Sequence, residues 1–157
     1  PISLPLRVRG LVLVVTMTAV VAVNVKIAGG EQAFNLRRYE ARYRAAGRYL
    51  QAMLPSAAVV IAVQESTSAS FYAHVPVLRW DLLHADLDTA VIALRALGRR
   101  PVFLVEDWEA ADLQKRFPSS PLARLAWPAR AEFGDDTRVH LFDPGDLGRS
   151  VQTDRVH

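Results

Sequence analysis

Hydrophobic and polar positions divide the chain into a uniformly apolar opening and a longer, punctuated remainder. Gly10 to Val23 (GLVLVVTMTAVVAV) carries no charge and is interrupted only by Thr16 and Thr18. A surface helix of a soluble protein would show a polar face there. Asn24 and Val25 extend the uncharged run, which then spans roughly 24 Å as a helix, against a hydrocarbon core of about 30 Å. Counting from Leu6, with Arg7 and Arg9 snorkelling and Lys26 reaching the far interface, brings it to about twenty residues. The pattern predicts a transmembrane helix within residues 1–30. A secretory signal core has a similar basic flank and short apolar run. A buried strand of this length would be unusual. The paired arginines place the N-terminal end on the cytoplasmic side and residues 31–157 outside.

After residue 30 the apolar positions become periodic. Tyr39, Tyr43, Ala46, Leu50 and Met53 recur at helical spacing over residues 33–54, and Pro55 ends the run. Ala57–Val63 (AAVVIAV) is a short continuous apolar stretch, as expected of a buried parallel strand. QESTSAS (64–70) then reads as a loop or helix start leading into Phe71-Tyr72-Ala73, and Val77–Trp80 as a second strand. Asp86 or Asp88 caps a helix bearing Leu87, Val91, Leu94 and Leu97, closed by Gly98. Val102–Val105 (VFLV) is the third strand. Glu106-Asp107 opens a further helix bearing Ala110, Leu113 and Phe117. Leu122–Trp127, Ala131–Phe133 and Arg138–Phe142 read as short strands, with a turn at Gly134-Asp135-Asp136. Asp143-Pro144-Gly145 ends the last of them, and the polar tail 146–157 is expected to be loose. Strand and helix alternate, so the fold class is α/β: a membrane helix, then a small layered domain over residues 31–145 with a mainly parallel sheet.

Charge changes this picture little. The net charge of +3 arises entirely in the first thirty residues, and from Glu31 onward basic and acidic residues are equal in number. Nucleic-acid binding, which needs a concentrated basic face, is therefore not expected. The chain has no cysteine, which excludes disulfides, thiolate metal sites and thiol catalysis. No His spacing suggests zinc, and no nucleophile elbow, P-loop or dinucleotide fingerprint occurs. No catalytic residue and no metal ligand is assigned.

Two surfaces merit attention. Arg37, Arg38, Arg42, Arg44 and Arg48 share one side of the first soluble helix and, close to a membrane span, would meet anionic lipid headgroups. Otherwise they form a solvated face over a core helix. The second is the crevice expected at the C-terminal ends of parallel strands. Glu65 and Ser66 follow the first strand, Asp81 the second, and Glu106, Asp107 and Trp108 the third, with Tyr72 and Arg79 close by in sequence. Carboxylates beside an aromatic face would suit a sugar. Helix-start acids and capping serines explain the same residues without a ligand, and Arg79 and Asp81 on one side of a strand would pair.

Taken in order, the span, Tyr43–Pro55 (YRAAGRYLQAMLP), AVVIAVQESTSASFYAHVPVLRWD and LDTAVIALRALGRRPVFLVEDWE resemble the C-terminal end of bacterial multi-span glycosyltransferases of the GT-C class, family 39-like. The protein O-mannosyltransferases and the lipid A aminoarabinose transferases belong to that class. The resemblance covers roughly residues 5–145 and lies in order and spacing rather than in a catalytic signature. It implies a transferase that moves a sugar from a polyprenyl-phosphate donor in the bacterial inner membrane, multi-pass at full length. Residues 31–157 would form a periplasmic or extracellular domain packed against the rest of the membrane body. The catalytic carboxylates of that class lie in an early loop outside this sequence, so none is carried over. Some branches use a divalent metal. His74 stands where a Gly is expected in a Y-x-G-x-P turn. Pro rather than Met at position 1 agrees with a piece of a longer protein.

Two other readings remain. One is a single-span anchored binding or scaffold domain whose arginine-rich helix engages anionic lipid or a partner. The other is a self-contained hydrolase, for which no nucleophile, base or metal set is assembled.

Overall fold

The computed structural model describes residues 5–30, 36–135 and 137–156, and the chain divides into two compact units, Pro1–Arg38 and Tyr39–His157. In the first, α1 (Leu6–Gly30) is helical throughout, which removes the strand alternative. Its segment Gly10–Gly29 is long and apolar enough to cross a membrane and is not buried by any part of the protein. The amide of Asn24 donates to the Val20 carbonyl at 2.8 Å, so its polar group is paired within the helix. An apolar environment would otherwise leave that amide unsatisfied.

The second unit is a mixed sheet between two helical layers. Its elements are α2 (Leu36–Met53), β1 (Ala58–Ile61), α3 (Ser66–Ala73), β2 (Val77–Leu78), α4 (Leu87–Ala96), β3 (Arg100–Glu106), α5 (Glu109–Arg116), β4 (Ala131–Phe133), β5 (Val139–Phe142) and β6 (Asp154–Val156). The strand order is β2-β1-β3-β5-β4-β6. β1 runs parallel to both β2 and β3, β5 is antiparallel to β3 and β4, and β6 is parallel to β4. Five strands therefore share one direction and only β5 opposes them.

Side chains alternate between the two faces of the sheet as the pleat requires. Val60, Val102, Leu104, Phe133 and Leu141 pack beneath α2 and α3 through Ala46, Leu50, Ala69 and Ala73. Ile61, Phe103 and Val105 face the other way, toward Leu87 and Val91 of α4, Leu113 of α5, and Trp80, Phe117 and Trp127. Local signals hold the helices in place. The Asp86 carboxylate accepts from Thr89 N at the start of α4, and Gly98, with φ of +70°, follows its end. Acids open α5 and Lys115 and Arg116 close it, complementing the helix dipole.

Three expectations fail locally. The second strand stops at Leu78, and Trp80–Leu82 form a 3₁₀ turn that buries Trp80. Leu122–Arg124 are a 3₁₀ turn rather than a strand. The polar tail is also tied down. Asp154 N donates to the Arg130 carbonyl, Thr153 Oγ1 donates to the Ala129 carbonyl, and Tyr49 donates its hydroxyl to Asp154. Backbone pairing makes β6 an edge strand with no apolar signal in its sequence.

α2 and α3 meet at Gly47, where a Cβ would overlap the Cβ of Tyr72. Gly47→Ala gains roughly 1 kcal/mol of helix propensity but overpacks this contact. We expect a net loss of about 1–2 kcal/mol, read as a Tm lowered by several degrees in thermal denaturation. An equal or higher Tm would contradict the contact.

Candidate functional site

The chain leaves β1 through α3, on one face of the sheet, and leaves β3 through α5, on the other. The strand order 2-1-3 therefore reverses between β1 and β3. This is the position at which open α/β sheets form a ligand crevice. Glu65, Glu106 and Glu109 all lie there, and all three are fully buried.

Glu109, the first residue of α5, fills the gap between the two strand ends. Its carboxyl accepts from Gln64 N at 2.9 Å and from Glu106 N at 3.0 Å, joining the backbone beyond β1 to the end of β3. Burial raises its pKa more than these two amides lower it. The backbone N–H groups that would greet an anionic ligand at such a crevice are thus occupied by a side chain of the protein itself.

Glu106 ends β3 on the face covered by α2. Arg42 Nη2 donates to both its oxygens at 3.2 and 3.1 Å, Trp108 Nε1 donates at 2.8 Å, and the Tyr43 hydroxyl lies within 3.4 Å. Arg42 also donates to the Tyr43 oxygen at 2.9 Å and to the Thr137 carbonyl at 2.8 Å. Desolvation opposes its charge, yet the Tyr43 hydrogen bond and the Glu106 carboxylate hold its pKa above the ordinary value.

Glu65 lies beside this pair at the start of α3, and neither of its oxygens meets a donor among the described residues. Its neighbour is another acceptor, Glu106, so only a proton can join the two. Burial first, then hydrogen bonding and repulsion from Glu106, push the Glu65 pKa up to about 9. Near neutrality Glu65 is a carboxylic acid able to donate to Glu106. Both carboxyls are closed off from solvent, so neither faces a sugar or an attacking water as glycoside hydrolysis requires.

The remaining candidates lie elsewhere. Asp107 points away from the buried cluster, accepting from Arg138 N at 2.9 Å and contacting His140 Nε2 at 2.6 Å. Burial alone would raise its pKa, but these partners hold it below the usual carboxylate range. Arg79 and Asp81 form an exposed two-point pair with bonds of 3.1 and 2.5 Å. Ser66 is half-buried beside a shallow cleft shared with Ser70, Phe71, His74 and Arg79. Tyr72 packs edge-on to Phe71 and against Gly47. His74 adopts φ +54°, so this turn is left-handed although it lacks glycine.

The arginine face requires a correction. Arg42 does not look toward solvent or lipid; it is buried against Glu106 because the covered stripe of α2 runs through Arg42, Ala46, Gly47 and Leu50. Met53, expected on the covered side, is 60% exposed. Arg44 and Arg48 are exposed, and the side chains of Arg37 and Arg38 lie outside the described residues. Tyr43 and Glu109 complete the cluster and were not among the candidates. Glu109, three residues beyond Glu106 at a helix start, reads in sequence as an ordinary dipole-complementing acid. Among the described residues no three His, Asp or Glu side chains converge to hold a metal ion.

No protein-family model matches the chain, no curated protein qualifies as a relative, and no solved structure matches it.

Two outcomes test the cluster. Arg42→Met leaves Glu106 buried without its cation and should cost about 3–5 kcal/mol in chemical denaturation; a loss under about 1 kcal/mol would contradict the buried pair. Glu65 gives the second test through pH. A carboxyl whose pKa rises on folding takes up a proton as the chain folds. Its cost to stability therefore grows with pH, from the ordinary value of 4.5 up to about 9. Glu65→Gln keeps a neutral donor toward Glu106 and removes that dependence. The variant's Tm relative to wild type should rise by about 3 °C or more between pH 5 and pH 8. A difference that stays flat would contradict a protonated Glu65.

Proposed function

We propose that the chain is a membrane-anchored, non-catalytic α/β domain belonging to a GT-C-class glycosyltransferase of the bacterial inner membrane. The observation that carries this reading is the filled switch point. Glu109 occupies the free amides at the ends of β1 and β3, and Arg42 and Trp108 occupy Glu106. A domain whose usual ligand crevice is packed with its own side chains supports a reaction carried out elsewhere. The unburied apolar helix Gly10–Gly29 supplies the anchor. The resemblance in order and spacing supplies the class, and the left-handed turn at His74 agrees with the Y-x-G-x-P turn it implies.

In this reading the transfer moves a sugar from a polyprenyl-phosphate donor to an acceptor. Residues 31–157 lie on the periplasmic or extracellular side and pack against the rest of the membrane body. A divalent metal, where the transferase uses one, is held outside this domain.

The reading is tested in membranes from cells expressing either the natural reading frame or residues 1–157 alone, supplied with polyprenyl-phosphate-linked radiolabelled sugar. Transfer should depend on the natural frame, be absent with residues 1–157 alone, and stay within about threefold of wild type for Asp81→Asn. Transfer by residues 1–157 alone, or none from the natural frame with any such donor, would contradict it. The scaffold reading gains support only if natural-frame membranes are inactive and Arg44→Glu with Arg48→Glu abolishes salt-sensitive liposome binding.

A further inference from the structure

The opposite end of the sheet carries a second concentration of charge. β3 begins at Arg100 and the antiparallel β5 ends at Phe142, so Arg100 and Asp143 meet at the edge away from Glu65 and Glu106. A cleft of about 500 Å³ opens there, lined by Arg95, Arg99, Arg100, Arg130 and Arg149 together with Asp143 and Asp146. The lining therefore has a surplus of three positive charges, although the chain from Glu31 onward is neutral as a whole.

The two carboxylates are spent internally. Asp143 accepts from Arg100 Nε and Nη2 at 3.1 and 2.5 Å and lies 3.3 Å from Arg130 Nη2; its other oxygen accepts from Gly145 N at 2.7 Å. Asp146 is gripped by Arg130 through Nε at 2.5 Å and Nη2 at 2.9 Å. Both aspartate side chains are only 4% exposed, whereas those of Arg100 and Arg130 remain 42% and 37% exposed. Two guanidinium groups are thus held through their Nε and Nη2 donors, on side chains that remain partly exposed. Around them, Arg95 and Arg99 have no carboxylate partner among the described residues, and Arg149 feels Asp146 only as a more distant attraction. Dipole complementarity accounts for Arg95 and Arg99 near the end of α4, but not for Arg130 or Arg149 converging from another part of the chain.

We propose that this cleft binds a phosphate-bearing anion, a phosphomonoester or a diphosphate. Guanidinium groups are strong charge-assisted donors to phosphate oxygens, and the surplus of three positive charges suits a ligand of two or more negative charges. The proposal does not rest on the transferase reading. The ligand can come free in solution or as the headgroup of a phosphorylated lipid.

The test uses the full chain in nanodiscs of neutral lipid, titrated with inorganic pyrophosphate by calorimetry. A parallel set of nanodiscs contains polyprenyl monophosphate and is read by ³¹P line broadening. Variants are Arg95→Ala/Arg99→Ala/Arg149→Ala, all exposed positions, and as control Arg44→Ala/Arg48→Ala. Saturable pyrophosphate binding weakened at least tenfold in the triple variant, and within twofold of wild type in the control, supports a soluble ligand. Broadening of the lipid phosphorus alone, lost in the triple variant only, supports a headgroup. Absence of both signals, or signals that the triple variant leaves intact, would overturn the proposal.

Discussion

The Arg42–Glu106 ion pair is the interaction on which the rest of the α/β unit depends. It joins α2, the helix that follows the apolar α1, to the last residue of the central strand, with both partners nearly excluded from water. A lone carboxylate at that depth would be costly, and so would a lone guanidinium. Each therefore fixes the other's element. α2 is held over β3, Tyr43 and Trp108 are drawn in as further hydrogen-bond partners, and the loop carrying Thr137 is captured by the same guanidinium. Glu65 becomes a neutral acid because burial disfavours its charge, and the neighbouring Glu106 carboxyl adds to that shift while Arg42 opposes it.

The two ends of the sheet consequently differ in character. At the β1–β3 switch point, acids face inward and are answered by Arg42 and backbone amides, which leaves the crevice closed. At the other end, arginines outnumber the acids and remain partly open. A chain that is neutral by count beyond residue 30 is thus polarised along its strands. The same topology produces both sites. β3 presents Glu106 at one end and Arg100 at the other, and only the first lies where the strand order reverses.

Much of the fold was legible because its signals are local. AAVVIAV and VFLV declare buried parallel strands, Asp86 and Gly98 bracket α4, and the uncharged run after Gly10 declares α1. Legibility failed where long-range pairing decides. β6 is a polar segment made into a strand by Arg130 and Ala129 carbonyls more than twenty residues away. Arg42 shows the limit most sharply. Helical periodicity groups it with Arg44 and Arg48 as a charged face, and only the distant Glu106 explains why it turns inward. Glu65 and Glu106 were found from their place after strands, since topology constrains those positions. That they interact with each other, closed off from solvent, depends on packing, which spacing does not encode.

The central claim, that the switch point is closed by a neutral acid held against an ion pair, is tested most directly by the protonation of Glu65 itself. Carbon-13 NMR of the full chain in micelles, with glutamate labelled at the side-chain carboxyl and Glu65→Gln used for assignment, would follow this group across pH. The account predicts a protonated carboxyl at pH 7 that titrates near 9. A Glu65 signal already ionised at pH 7, titrating near the ordinary 4.5, would show an open, solvated crevice and contradict it.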